Sequence, residues 1–539
     1  MKKLVVILLA SLLAFCGMLG GCKKKFSNDD NSLEIYVADF GYGYEWIYDL
    51  LDDFASQTEI KEKYPNFKYH VSSNTSRTQA LDRILQGETN TVDLFFSITT
   101  AADKYESTYS GGKPYFEDLS ELYATKVPGE AITFAEKLDD NFLKMSTFTR
   151  LNGTTSYYAV PWVAGMQGML YNKTVFNALG IEVPNTTDEL YKVCEEIVEK
   201  GRTPFIFSSK ENYWTCMMFL LWWAQYEGAE NYANFYQGIV EENGRKTMSR
   251  DVFRQTGRLR ALETIESLIF YPTEFIHDNV NTLVFTQAQA KFLIGEGLMM
   301  PNGDWFETEM SKTKEEDEIT DVFTFMKTPV ISSITEKLED KDMTDETLSA
   351  VIDAIDAGAT EFEGVSEADF AKIYEARKLV LPVGNHNAFV PAYATAKELA
   401  KDFLLYLATD RANYLFIKAT NGASLPFEYD VEEKAPELYA SLPDIQKDRL
   451  DMQSDAIFMM NENTYSAVYY GGISRFTGDR TNVESLMTVQ NKSYQKTARE
   501  IYDDEIAYWT ADRWDSVLEN MGLKSVSYTH LRAHETTLH

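Results

Sequence analysis

The stretch LEIYVA, residues 33–38, decides the fold. It is a short apolar, β-branched run and reads as a strand. The loop DFGYGY follows, from Asp39 to Tyr44. Trp46, Ile47, Leu50, Leu51 and Phe54 then recur at helical spacing and share one face. Ser76 is placed to cap a second helix carrying Ala80, Leu81, Ile84 and Leu85, which Gly87 stops. VDLFF, residues 92–96, is another short buried strand. Strand, helix and strand with apolar centres imply an α/β protein with a parallel sheet covered by helices.

The same alternation runs through the rest of the chain. Asn152 and Gly153 form a turn between extended segments. Thr186 to Glu189 reads as a capping box, opening a helix whose buried face is Leu190, Val193, Cys194, Ile197 and Val198. Leu399, Phe403, Leu404 and Leu407 mark another amphipathic helix. Residues 331–380 are acidic, with helices capped by Thr344 and Ser366, and read as an insertion on a lobe surface.

At 539 residues and 44% hydrophobic, with 32 Phe, 32 Tyr and 8 Trp, the chain can build more than one core. A net charge of −32 repels phosphate backbones and anionic lipid, which argues against nucleic-acid binding and against electrostatic membrane docking. Lys2 and Lys3, then an apolar run ending in LGGC, read as a secretory signal over residues 1–21. Cys22 sits where a bacterial lipoprotein takes its lipid, and the polar residues 22–32 form a tether. Residues 526–539 contain VSYTHLRAHET, which resembles a translated sequencing adaptor; their three histidines are given no metal role. Cys194 and Cys216 read as two buried thiols or one disulfide. No spacing suggests a metal site or a cofactor.

Four motifs come in a telling order. They are NGTTSYYAVP (152–161) with LYNK (170–173), LGIEVP (179–184), FLIGEGLMMPNGDW (292–305), and ATAKELAKDF (394–403) continuing to NGASLP (421–426). This order resembles the extracellular solute-binding proteins of ABC importers, the group that includes maltodextrin-binding proteins. The resemblance implies a two-lobed periplasmic-binding-protein type II fold with hinge-crossing strands and a ligand cleft. Lobe 1 is expected over residues 33–157 and 388–428, and lobe 2 over 158–387 and 429–525. It further implies a monomer that captures a solute outside the cell, most simply a sugar or oligosaccharide, and hands it to an ABC permease. The lipid on Cys22 would hold it at the outer face of the cytoplasmic membrane.

A sugar presents apolar C–H faces and a rim of hydroxyls, which call for flat rings beside polar groups. The candidates at strand ends and loops are Asp39, Tyr42, Tyr44, Ser97, Thr99, Trp162, Trp214, Asp304, Trp305 and Asn421. Each has a duller reading: Trp162 can pack a hinge, Trp214 a core, Trp305 a helix, and Asp304 can cap one. The run 298–300 reads as a buried strand that turns at Asn302 and Gly303, setting Trp305 at its carboxyl end. A secreted glycoside hydrolase would share this composition and would need two carboxylates about the scissile bond. The composition also leaves room for a peptide or polyamine ligand. No nucleophile elbow, Walker loop or zinc-protease motif is present.

Overall fold

The computed structural model describes residues 29–99, 101–150, 153–209, 213–242, 244–270, 273–459 and 496–520. The signal segment, Cys22 and the tail beyond residue 525 lie outside them. Two five-stranded sheets organise the chain. Their strands are β1 (Ser32–Ala38), β2 (Lys68–Asn74), β3 (Leu94–Ser97), β4 (Val160–Pro161), β5 (Met166–Asn172), β6 (Met299–Gly303), β7 (Phe323–Met326), β8 (Leu379–Pro382), β9 (Asn387–Phe389) and β10 (Ile457–Phe458).

The first sheet runs β2-β1-β3-β9-β4. β1 is parallel to β2 and β3, as LEIYVA and VDLFF suggest, while β9 is antiparallel to β3 and β4. Helix Trp46–Ser56 buries the expected five residues against it. Asp93 fastens the start of β3: its carboxylate accepts the Glu34, Thr395 and Ala396 N–H groups at 3.1, 3.0 and 3.1 Å. The second sheet departs from the parallel expectation. β5 lies antiparallel to β6, β7 and β8, because each of these strands returns to it from the opposite direction. Asn172 ends β5 and caps helix Lys173–Leu179 by accepting the Val175 N–H at 2.9 Å.

Each sheet carries its own core. Lobe 1 takes residues 33–163 and 388–427, and lobe 2 takes 166–381 and 445–517. The first crossing therefore falls after Val163 rather than at residue 157. The segment from Tyr158 to Val163 faces lobe 1, since Trp162 stacks on Trp46 with centroids 5.2 Å apart. The second crossing is residues 383–386, between β8 and β9. Residues 331–380 are more than a surface appendage. Leu348, Val351, Ile352, Ile355 and Ile373 of their helices are fully or nearly fully buried in the lobe 2 core. Thr344 and Ser366 cap those helices as read from the sequence.

Ser76 does not cap its helix. Its N–H donates to Asn74 at 2.7 Å, and helix Gln79–Ile84 starts after Thr78 without a side-chain cap. Thr186 does cap helix Thr187–Glu199, but Glu189 reaches back to the Asn185 N–H, one residue before the box position. Cys194 is a free, fully buried thiol whose pKa burial raises well above its ordinary value. The Cys216 side chain lies outside the described residues. No helix among the described residues is long and apolar enough to cross a membrane.

Candidate functional site

A cavity of about 270 Å³ opens between the two lobes, where the chain crosses from one sheet to the other. Lobe 1 contributes Phe40, Gly41, Tyr42, Arg77 and Ile98. The second crossing contributes Val383 to His386, and lobe 2 contributes Gln167, Phe285, Trp305 and Glu309. The carboxyl ends of β1, β3 and β6 all point here, the place where open α/β sheets bind ligands.

Trp305 lines the cavity from lobe 2. β6 continues through Asn302 and Gly303, so the chain turns at Asp304 and Trp305, slightly later than expected. The indole folds back over Gly303, where an added Cβ would stand 2.1 Å from Cζ3. Trp305 packs against both cores and keeps part of its surface open. Gly303→Ala is therefore expected to swing the indole away. Ligand affinity should fall about as far as in Trp305→Ala, with a near-UV dichroism change marking the displaced ring. Unchanged dichroism and affinity would contradict that geometry.

Polar groups line the cavity beside Trp305. Glu309 lies one helical turn beyond Trp305, on helix Phe306–Glu316. Burial pushes its carboxyl up to about 7, against the pull of Gln289, the Gly41 N–H and Arg77. Gln289 Nε2 donates to it at 2.7 Å. The Arg77 guanidinium lies over the Phe40 ring, 5.7 Å from its centroid. His386 is pushed down to about 3 by burial and then by Arg77, so it is neutral at ordinary pH. Gln167 Nε2 donates to the Pro382 carbonyl at 3.2 Å and braces the second crossing.

Beneath the cavity lies a buried network that joins the lobes. Asp304 is fully buried and accepts the Tyr42 hydroxyl at 2.8 Å and the Met166 N–H at 3.0 Å. Arg449 Nε approaches its other oxygen at 3.6 Å. The Arg449 guanidinium also donates to the carbonyls of Ala164 and Gly422, each at 3.0 Å, and to Ser424 Oγ at 2.8 Å. Burial raises the Asp304 pKa and lowers that of Arg449, so desolvation opposes ionisation of both partners. Gly165 leaves the room: a Cβ there would stand 2.2 Å from the Tyr42 hydroxyl.

The sequence-derived candidates divide accordingly. Trp305 and Tyr42 line the cavity, although the Tyr42 hydroxyl is committed to Asp304. Asp304 neither faces the cavity nor caps a helix; helix Phe306–Glu316 has Trp305 at its N-cap and no side-chain cap bond. Trp162 is buried in the lobe 1 core and donates its indole N–H to the Ser97 carbonyl at 3.0 Å, so it packs the hinge. Ser97 is buried and accepts the Thr99 N–H at 3.3 Å; Ile98 between them is the residue that reaches the cavity. Asp39 stays off the cavity wall, its carboxyl pushed up by partial burial and by Glu45. Tyr44 turns to Tyr48, with centroids 6.4 Å apart. Asn421 is exposed at φ 57° and forms a turn after helix Asp410–Ala419, beside a separate surface groove. The Trp214 side chain lies outside the described residues.

Sequence reasoning missed Arg77, Gln167, Phe285, Glu309 and the turn from Gly384 to His386. One signal existed for Glu309, since residues i and i+4 share a helix face and Trp305 is a candidate from sequence.

The model of the bacterial extracellular solute-binding protein family matches residues 39–414. The chain belongs to that family. Two curated relatives are sugar binders by name. The multiple sugar-binding protein of Streptococcus mutans is 29% identical over 185 residues, 34% of this chain and 41% of the relative. The diacetylchitobiose binding protein DasA of Streptomyces coelicolor is 30% identical over 185 residues, 34% and 38% of the two chains. The matched stretch thus spans about two-fifths of the length of these relatives. Among solved solute-binding proteins, a chitin oligosaccharide binding protein superposes with TM-score 0.56 at 15% identity, covering 91% of this chain and 100% of the other. RafE bound to raffinose gives 0.53 at 15% identity, covering 88% and 98%. At that identity the likeness concerns the fold, and both lobes of this solute-binding protein are included in it.

Proposed function

We propose that this solute-binding protein captures a sugar or oligosaccharide outside the cytoplasm and delivers it to an ABC permease by closing its lobes. It acts as a monomer held at the membrane by lipid on Cys22. The observation that carries the sugar reading is the part-buried Trp305, which lines the cavity between the lobes together with Glu309, Arg77 and Asn385. A flat apolar ring bordered by acceptors and donors fits one sugar face and its hydroxyls. The names of the similar proteins support the same class. A hydrolase would need a second carboxyl beside Glu309, and among the described residues lining the cavity Glu309 is the carboxyl present. Closure turns about the crossing segments at residues 163–166 and 383–386, where ligand contacts on both lobes favour the closed state.

The test is a thermal-shift panel of raffinose, diacetylchitobiose and xylo-oligosaccharides, with polyamines and peptides for comparison. A ligand present at a hundred times its Kd should raise stability by about 2.7 kcal/mol. Trp305→Ala should then cost roughly 2 kcal/mol of binding, about thirtyfold in affinity, with little change in melting. Early melting of Trp305→Ala with normal affinity would make the ring a packing residue instead. Shifts with peptides or polyamines alone would overturn the sugar reading.

A further inference from the structure

Glu309 is placed unusually for a carboxyl. It sits on lobe 2, part-buried, within the cavity between the lobes. Its helix follows directly from the Trp305 turn, so ring and carboxyl share one face. Behind it, Gln289 is fully buried and donates to one of its carboxyl oxygens at 2.7 Å. Across the cavity the Gly41 N–H and the Arg77 charge also favour the ionised form. Burial works against them and wins, leaving the group half-protonated near neutral pH. A hydroxyl donor from a ligand in the cavity would favour the carboxylate further.

We propose that Glu309 contacts the captured solute and releases its proton when the lobes close on a hydroxyl-bearing ligand, so that capture is coupled to pH. The inference rests on the sugar reading given above. Its sign follows from the chemistry. A sugar hydroxyl donates to a carboxylate and stabilises the charged form. Binding therefore lowers the Glu309 pKa, and a proton leaves. Affinity rises with pH while Glu309 is protonated in the empty cleft and levels off once it is ionised there.

The neighbouring groups leave Glu309 as the source of this effect. Arg77 on lobe 1 is a fixed cation. Tyr42, also on lobe 1, has its pKa raised well above its ordinary value by burial and by Asp304, with Glu309 adding to it. Asp304 and Arg449 lie behind Tyr42 in the buried network. Helix Phe285–Leu293 presents the neutral Gln289, and Glu309's own helix presents Trp305. His386 shares Arg77 with Glu309 but is held neutral, pushed down to about 3.

The test uses the full chain and neutral sugars without titratable groups: raffinose, diacetylchitobiose and xylobiose. Calorimetric titrations would run from pH 5.5 to 8.5 in phosphate and in Tris, whose different ionisation heats expose a released proton. Wild type is expected to gain affinity as pH rises, by up to about tenfold per unit below neutrality, with heats that differ between the buffers. Glu309→Gln should flatten the profile and remove the buffer dependence. Glu309→Asp, which keeps the carboxyl, should retain the slope at altered affinity. A flat wild-type profile would overturn the proposal while leaving sugar capture standing. A slope that survives in Glu309→Gln would overturn it equally and assign the proton elsewhere. If none of the sugars binds at any pH, the sugar reading falls and this inference falls with it.

Discussion

Asp304→Ala should cost about 3–5 kcal/mol of folding stability, because it leaves the buried Arg449 guanidinium without its counter-charge. It also removes the acceptor for the Tyr42 hydroxyl and the Met166 N–H. These losses fall where the lobes meet, so the variant should be less stable and looser between its lobes. Asp304→Asn keeps an acceptor but not the charge and should fall between the two. Urea unfolding measures the first effect, and the radius of gyration by small-angle scattering reports the second. A variant that unfolds like wild type and has lost only ligand affinity would return Asp304 to the cavity wall. The size of the expected effect does not mean that the ion pair stabilises the fold overall. Desolvation opposes both charges; removing one partner alone is what is costly.

The second large effect lies far from the cleft. Helix Ala498–Tyr508 closes lobe 2 against helix Thr256–Ile265. Glu505 on the first pairs with Arg258 on the second, and both side chains are only 2% exposed. The Arg258 guanidinium is wrapped by the rings of Phe235, Trp223 and Phe253, at 4.9, 5.4 and 5.8 Å from their centroids. Glu505→Ala therefore leaves a cation buried among aromatic rings, a loss of about 3–5 kcal/mol. Arg258→Met combined with Glu505→Leu should recover most of it, since matched apolar groups need no counter-charge. Denaturant unfolding of wild type, Arg258→Met, Glu505→Leu and the double variant isolates the coupling. Equal destabilisation by the single and double variants would show that packing volume, and not the charge, sets the cost.

Local pattern carried much of this protein. The apolar runs at residues 33–38 and 94–96, the helical face from Trp46 to Phe54, and the caps at Thr186, Thr344 and Ser366 all depend on neighbours close in sequence. Such features are settled by backbone propensity and periodicity, so they can be read one segment at a time. The order of those segments was enough to indicate the family and its two lobes. Sheet direction was less legible. The apolar strands of lobe 2 read like parallel ones, and only their return paths made β5 antiparallel to its neighbours.

The cleft itself was decided by tertiary contacts. Trp162 and Trp305 look alike in sequence, each an indole just beyond a strand. Trp162 is covered by Trp46, Phe96 and His386, residues distant in the chain, and belongs to a core. Trp305 packs against the cores of both lobes, yet stays only part-buried where it lines the cavity between them. Asp304 was drawn inward by Tyr42, 262 positions away, and by Arg449. Glu309 gained its role because folding set Gln289 behind it and the Gly41 loop and Arg77 before it. The sequence specifies which side chains can stack or hydrogen-bond, since that chemistry is intrinsic to each residue. Which of them face the solute depends on how two separately built lobes meet, because that meeting determines which groups lose water and which keep it.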